Sequence, residues 1–240
     1  MRRVIKKSKY IHHNEVKILS NFRELVFGLE DGMLSTLGAI TGIAIGISNN
    51  LFIILSGIVI VVVEAISMSI GSYLSIKSIK ELDNRKLEEE KDQIKEEVKT
   101  EKQELLNIYL KDGWPKNFAL KMVQIASKNK KLFFKEMVSK ELKINSDETG
   151  NPIRGAVSMF LFYLIGGSLP VFPYFFFRTP FSIILSVTIT LAGLFVLGVV
   201  TSRFTKRNWL KSGLEVFILA GLAALAGYLI GFSARIFLGI

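Results

Sequence analysis

Five long blocks of apolar residues alternate with polar connections along the chain. Each block has about 20 residues or more, the length that an α-helix needs to cross a hydrocarbon layer roughly 30 Å thick. The pattern therefore predicts an all-α membrane protein with five transmembrane helices. These spans cover residues 25–48, 51–76, 153–177, 181–202 and 214–240.

A charged segment separates the second span from the third. Residues 77–112 contain no Gly or Pro and are rich in Glu, Lys, Leu and Ile, so we expect one long helix that continues directly out of span two. Two shorter helices should follow, over 116–127 and 130–143. The predicted organisation is a tail with spans one and two (1–76), a cytoplasmic helical metal-binding insertion (77–152) and spans three to five (153–240).

The net charge of +10 is distributed unevenly over the connections. Basic residues are concentrated before span one and between spans four and five, whereas the turn after span three has only Arg178 and the turn after span one has none. This alternation follows the positive-inside rule. We expect a cytoplasmic amino terminus, an external carboxyl terminus, and basic residues that contact lipid and do not bind nucleic acid.

The chain contains no convincing catalytic set, so we do not expect an enzyme. It has no cysteine, which excludes disulfides and thiol catalysis, and His12 and His13 lie in the basic tail. The amino terminus is basic but is followed by polar sequence, so no cleavable signal peptide is visible. Without a targeting segment, we favour the plasma membrane of a prokaryote over a vacuole.

One face of the predicted long helix is acidic. At 100° per residue, a polar stripe runs beside an apolar row, and its members are Glu90, Gln93, Glu97, Glu101 and Glu104. The stripe is either the edge of a packed seam or a solvated face with Glu–Lys pairs. Farther along, Met137 and Glu141 share a helix face, and a thioether beside a carboxylate suits a divalent metal such as Fe²⁺.

Three carboxylates interrupt the apolar blocks: Glu30 and Asp31 in span one and Glu64 in span two. A charge at the bilayer centre costs roughly 2.5 kcal/mol or more, so such residues are functional by default. With Met68, one turn after Glu64, the Asp31 and Glu64 carboxylates could replace part of a divalent ion's hydration shell. Structural alternatives are a protonated Glu64 bonded to a neighbouring helix, an Asp31 that caps a helix break at Gly32, and a structural role for Glu30.

Glycines in span one are four residues apart, the small-xxx-small spacing that lets membrane helices approach closely. They are Gly28 and Gly32, then Gly38, Gly42 and Gly46. Such packing could build a dimer seam that the carboxylates line. A membrane protein that packs its helices closely but does not transport would have the same glycine spacing, so these glycines indicate architecture more than function.

Four segments, taken in order, resemble the vacuolar iron transporter family. They are RELVFGLEDGMLSTLGAITGIAIG in span one, EAISMSIGSYLS ending span two, the long charged helix, and YLIGGSLPVFPYFF in span three. The resemblance implies a five-span homodimer that exports Fe²⁺ from the cytosol in exchange for protons. Mn²⁺ is a common second cargo, and Co²⁺ and Zn²⁺ stay open. The alternative is a membrane-anchored iron sensor or buffer that does not transport.

The resemblance also implies roles for individual residues. Asp31 matches the span-one acid of the pathway, Met68 its span-two thioether, and Glu24 an acid near the cytoplasmic entrance. In the insertion, the positions that match metal ligands are Glu90, Glu101, Glu104, Met137 and Glu141.

Two positions depart from the family pattern. Gln93 stands where well-known members have a further glutamate, and it is a neutral ligand at best. Ile60 stands where they have an acid two turns before the methionine, and the nearest acid here is Glu64. Either Glu64 substitutes from the adjacent turn, or the pathway binds metal differently in this chain.

Overall fold

The computed structural model describes residues 16–47, 49–144 and 150–238; His12 and His13 lie outside these ranges. Within them the chain is helical and has no β-strand, so the predicted all-α fold class is confirmed. The elements in chain order are α1 (Val16–Gly46), α2 (Asn50–Glu96), α3 (Val98–Lys111), α4 (Lys116–Lys128), α5 (Lys130–Met137), the π-helical turn Val138–Leu142, α6 (Pro152–Val171), α7 (Pro173–Phe176), α8 (Phe181–Thr205) and α9 (Trp209–Leu238).

The chain forms two compact units, which we describe separately. One comprises Met1–Leu74 and Asn151–Ile240, and the other comprises Ser75–Gly150. We call them the membrane unit and the insertion unit. Because α2 runs from Asn50 to Glu96, it contributes residues to both units.

Four described helices are long and apolar enough to cross a membrane: α2, α6, α8 and α9. The remaining predicted span coincides with α1, which is less apolar because Glu30, Asp31 and many small residues lie within it. By length and composition, the described residues therefore give four candidate spans.

Helix α8 has small residues inside and large apolar residues outside. Its buried stripe recurs every fourth residue and consists of Ser182, Ser186, Thr190, Leu194, Gly198 and Ser202. Large side chains such as Ile184 and Val196 are exposed instead. A soluble helix has the opposite arrangement, whereas small inward-facing residues are typical of helices packed in a membrane.

The glycines of α1 are used for close packing within the chain. A Cβ atom on Gly32 would lie 2.6 Å from the carbonyl oxygen of Tyr163 on α6, and one on Gly42 would lie 2.8 Å from that of Gly227 on α9. Only glycine permits such an approach of two helix backbones. The predicted close packing of span one is therefore made with α6 and α9 of the same chain.

Three predicted helices are interrupted. The long helix that we expected to reach residue 112 ends at Glu96, and α3 begins at Val98. The third span ends early because Pro173 has no N–H to continue the helix, so α6 and α7 replace a single helix over 153–177. The helix expected over 130–143 becomes α5 and a π-helical turn.

An apolar core holds α3, α4 and α5 together in the insertion unit. Its buried members are Leu105, Leu106, Tyr109, Ala119, Val123, Ala126, Phe133 and Met137. The Tyr109 hydroxyl also donates a hydrogen bond to Glu136 Oε2 at 2.9 Å, which ties α3 to α5. This core fixes the positions from which α3 and the π-helical turn present their acidic residues.

Candidate metal centre

Three carboxylates converge in the insertion unit: Glu90 from α2, Glu101 from α3 and Glu141 from the π-helical turn. One carboxylate oxygen from each lies within 4.8 Å of the other two. Metal–oxygen distances of about 2.0–2.6 Å place two ligand oxygens up to roughly 4–5 Å apart. The three oxygens are therefore close enough to bind one cation. We call these residues the Glu90/Glu101/Glu141 cluster.

The break at Glu97 makes this cluster possible. Glu90 and Glu101 are eleven residues apart, and on a straight α-helix eleven residues span about 16.5 Å. Two glutamate side chains cannot close that distance to 4.8 Å. Because α2 ends at Glu96 and α3 begins at Val98, the axis changes direction between the two acids and their carboxylates meet.

The third carboxylate comes from the π-helical turn. Val138–Leu142 directly follows α5 and ends at Lys143, which adopts the left-handed conformation with φ 52°. Met137, at the end of α5, is fully buried in the apolar core, while Glu141 reaches the cluster. Single π-helical turns occur frequently at functional sites.

The oxygens of the cluster lack partners. Glu90 Oε1, Glu101 Oε2 and Glu141 Oε2 are buried, and no described group donates a hydrogen bond to any of them. Neighbouring lysines point elsewhere: the Lys91 ammonium lies over the Phe134 ring, and Lys140 pairs with Asp112. An ionised carboxylate only accepts hydrogen bonds, so these oxygens are available to a cation or a proton.

Burial and mutual repulsion change the protonation of the cluster. They raise the pKa of Glu90 from 4.5 to about 7, with burial as the largest cause and Glu141, Glu101 and Glu104 as further ones. Burial also raises the pKa of Glu101 and that of Glu141, and in both cases the Glu104 charge adds to the effect. A bound divalent cation would offset both the burial and the repulsion.

The other predicted ligands of the insertion lie elsewhere or act indirectly. Gln93, Glu97 and Glu104 are exposed. Glu104 acts on all three members of the cluster through its charge, and Glu97 marks the helix break. The structure thus brings together Glu90, Glu101 and Glu141 from the predicted set; their role as metal ligands stays a prediction.

A second group of polar side chains surrounds Glu64 in the membrane unit. The Tyr163 hydroxyl on α6 donates a hydrogen bond to Glu64 Oε2, and the Ser35 hydroxyl on α1 donates to the same oxygen at 2.9 Å. The two hydroxyl oxygens are 2.6 Å apart. The carboxylate therefore joins α1, α2 and α6.

Sequence reasoning missed both hydroxyl partners of Glu64. Ser35 lies one helical turn after Asp31, so both share a face of α1, and this spacing was the available signal. Tyr163 carried no comparable signal, because a tyrosine in an apolar block is as often packing as function. It is nevertheless fully buried.

The remaining predicted pathway residues lie on α1 and α2. Asp31 and Met68 are half-buried, and the Asp31 carboxylate interacts electrostatically with Glu64. Glu24 is buried and pairs with Arg23 at 3.5 Å, but its Oε2 atom has no partner among the described residues.

Comparison with known proteins decides the family. The sequence model of the VIT family matches residues 22–232. This chain belongs to the VIT family. The predicted resemblance to vacuolar iron transporters is thereby confirmed, and a family of transporters is not a class of enzymes.

Several relatives in the VIT family carry an informative name. Vacuolar iron transporter 1 of Tulipa gesneriana is 30% identical over 209 residues, which cover 86% of this chain and 84% of that protein. Vacuolar iron transporter 1 of Arabidopsis thaliana is 26% identical, covering 90% and 88%. The vacuolar iron transporter of Plasmodium falciparum is 26% identical, covering 92% and 84%.

The source of these relatives bears on localisation. Membrane-spanning helices support an integral membrane protein, as expected. The relatives come from plants and Plasmodium and are named for the vacuole. They do not fit the expected prokaryotic plasma membrane.

Proposed function

We propose that this VIT family member transports divalent metal ions out of the cytosol in exchange for protons, with Fe²⁺ as the main cargo and Mn²⁺ as a second cargo. The proposal includes a homodimer of five-span chains with α1 as the first span. The observation that carries it is the convergence of three carboxylates in the Glu90/Glu101/Glu141 cluster, each of which has a buried oxygen without a hydrogen-bond partner among the described residues. The names of the relatives support iron as the cargo.

The chemistry of the insertion unit supports a divalent cation as the cargo. Three carboxylates supply three negative charges in a partly buried site, which favours a divalent cation over a monovalent one. Met137 ends the helix that leads to Glu141, but its side chain lies in the apolar core, so the preference for a divalent cation comes from the three carboxylates. In this proposal the insertion unit collects metal ions from the cytosol.

The membrane unit supplies the groups for the crossing itself. Asp31, Glu64 and Met68 would bind the dehydrated ion, and carboxylates that bind a metal ion also bind protons. Ser35 and Tyr163 hold the Glu64 carboxylate from two neighbouring helices. An ion that leaves on the far side would be replaced by protons, which return to the cytosolic side with the empty carrier.

Metal flux into liposomes tests this function. Purified protein is reconstituted, and Fe²⁺ uptake is measured with and without an inside-acid pH gradient. We expect uptake that the gradient stimulates and that Asp31→Asn abolishes. Glu30→Gln is the matched control, since it removes the adjacent half-buried carboxylate, and it should retain uptake.

Two outcomes would contradict the proposal in different ways. Tight Fe²⁺ binding without flux would favour the membrane-anchored sensor or buffer. Flux that Asp31→Asn leaves unchanged would remove Asp31 from the pathway. Stimulation by the pH gradient is the measurement that supports or refutes proton coupling.

A further inference from the structure

A basic pocket lies at the turn between α8 and α9. Lys206 follows α8 in the left-handed conformation, with φ 53°, and this residue reverses the direction of the chain. The backbone N–H of Arg207 donates to the carbonyl oxygen of Ser202 at 3.2 Å. The Asn208 side chain accepts two N–H groups from the first turn of α9. The turn therefore has a defined geometry.

The pocket combines cations with an apolar wall. Its volume is about 540 Å³, and its lining consists of Val199, Ser202, Arg203, Lys206, Arg207 and Trp209. The Ser202 hydroxyl already donates to the carbonyl oxygen of Val199 at 2.6 Å. Arg203, Lys206 and Arg207 are thus the polar groups that are available to a ligand, and Val199 and Trp209 provide apolar surface.

Two of the three cations have no acidic partner within the described part of the chain. The Arg207 guanidinium donates to Glu215 Oε2 at 3.1 Å. Among the residues that the structure describes, no carboxylate pairs with Arg203 or Lys206. Two cations at one cavity repel each other, and an anion between them removes that repulsion. Phosphate suits this pair because both guanidinium and ammonium groups bind its oxygens through charge-assisted hydrogen bonds.

We infer that this pocket binds the phosphate of an anionic membrane phospholipid. Both α8 and α9 are long and apolar enough to cross a membrane, so the turn that joins them lies at the membrane surface, where lipid phosphates are concentrated. Tryptophan is enriched at this level, and basic pockets between membrane helices are typical headgroup sites. A free phosphate ion would use the cations but would gain nothing from Val199 and Trp209.

Trp209 provides a direct readout for the test. The chain has two tryptophans, so Trp114→Phe in the full-length protein leaves Trp209 as the single tryptophan. The protein in a neutral detergent is titrated with dioctanoyl phosphatidylglycerol. Dioctanoyl phosphatidylcholine and inorganic phosphate are titrated in parallel. We expect a saturable change in Trp209 emission with phosphatidylglycerol only, and weaker binding at higher salt.

Variants test whether Arg203 and Lys206 recognise the lipid. Arg203→Gln combined with Lys206→Asn removes both charges, and asparagine tolerates the left-handed conformation at position 206. We expect this double variant to bind phosphatidylglycerol roughly thirtyfold more weakly. Arg178→Gln, at the other end of α8, is the matched control and should bind like the parent protein.

The same titrations can overturn the inference. Equal binding of phosphatidylglycerol and phosphatidylcholine would show that the pocket does not recognise anionic lipid. An unchanged affinity in the double variant would exclude the two cations as its ligands. Inorganic phosphate that binds as tightly as phosphatidylglycerol would make this an ion site and exclude the lipid. None of these results depends on whether the protein transports metal.

Discussion

Replacing Glu90 by glutamine should stabilise the metal-free insertion unit at neutral pH and weaken its metal binding. Glu90 is 1% exposed, and its carboxylate lies within 4.8 Å of two others. Glutamine has nearly the same shape but cannot ionise. The substitution therefore removes one buried negative charge and leaves the packing almost unchanged.

The pKa of Glu90 gives the size of the effect. A rise from 4.5 to about 7 means that ionising Glu90 destabilises the folded state by roughly 3 kcal/mol. Glu104 is exposed, and solvent screens its charge. We therefore take the destabilisation by ionised Glu90 to be about 1–2 kcal/mol. Between pH 4.5 and 7 the folded state keeps a proton that the unfolded state has lost. The metal-free protein therefore loses stability as the pH rises through that window.

Thermal unfolding of the full-length protein measures this effect. In a Trp209→Phe background, the emission of Trp114 follows the insertion unit alone. At pH 8 without metal, Glu90→Gln should raise the midpoint by about 5–10 °C. Between pH 5 and pH 8, the unfolding midpoint of the variant should also fall less than that of the parent protein. Added Mn²⁺, which resists oxidation, should raise the midpoint of the parent protein more than that of the variant.

The exposed residue Glu88 provides the control. Glu88→Gln removes a charge from the same helix outside the cluster and should leave the pH dependence unchanged. If Glu90→Gln lowers the midpoint at pH 8, or shows the same pH dependence as the parent protein, the argument from buried repulsion is wrong. Equal stabilisation of parent and variant by Mn²⁺ would exclude Glu90 as a ligand.

Three further predictions concern the pathway, the helix packing and the protons. Tyr163→Phe removes a hydrogen bond to Glu64 and should slow Fe²⁺ flux at least several-fold, while Mn²⁺ stabilisation of the insertion unit stays unchanged. Gly32→Ala should lower the free energy of unfolding by a few kcal/mol, because its Cβ would lie 2.6 Å from a backbone atom; a Cβ at Gly71 meets nothing within 4 Å, so Gly71→Ala should not destabilise the protein. Metal binding should release protons and weaken below pH 7, because Glu90 is then increasingly protonated; calorimetry in two buffers of different ionisation enthalpy checks this.

Much of the architecture could be predicted because helix formation depends on local patterns. The start of α2 and both ends of α4 and α8 follow from apolar blocks, charged blocks and turn residues, and the structure places them close to the predicted positions. The break at Glu97 could not be predicted, since no Gly or Pro lies between Glu90 and Glu101. The π-helical turn after Met137 likewise has no signal in the sequence.

The candidate ligands show the same division between local and tertiary information. The acidic stripe of the expected straight helix contained Glu90 and Glu101, but a straight helix would have kept them about 16.5 Å apart. Gln93 belongs to the same stripe and is exposed in the structure. Periodicity therefore identified the face, and only the bend between α2 and α3 selected its members.

The sequence by itself determined an all-helical membrane protein of the VIT family with acidic residues in its spans and its insertion. Such features depend on composition, periodicity and the order of motifs, and all three can be read directly from the amino-acid sequence. Only the tertiary structure decided that Glu141 joins Glu90 and Glu101, and that Tyr163 and Ser35 hold Glu64. These contacts join residues far apart in the chain, and the packing of helices, not local preference, determines which of them meet.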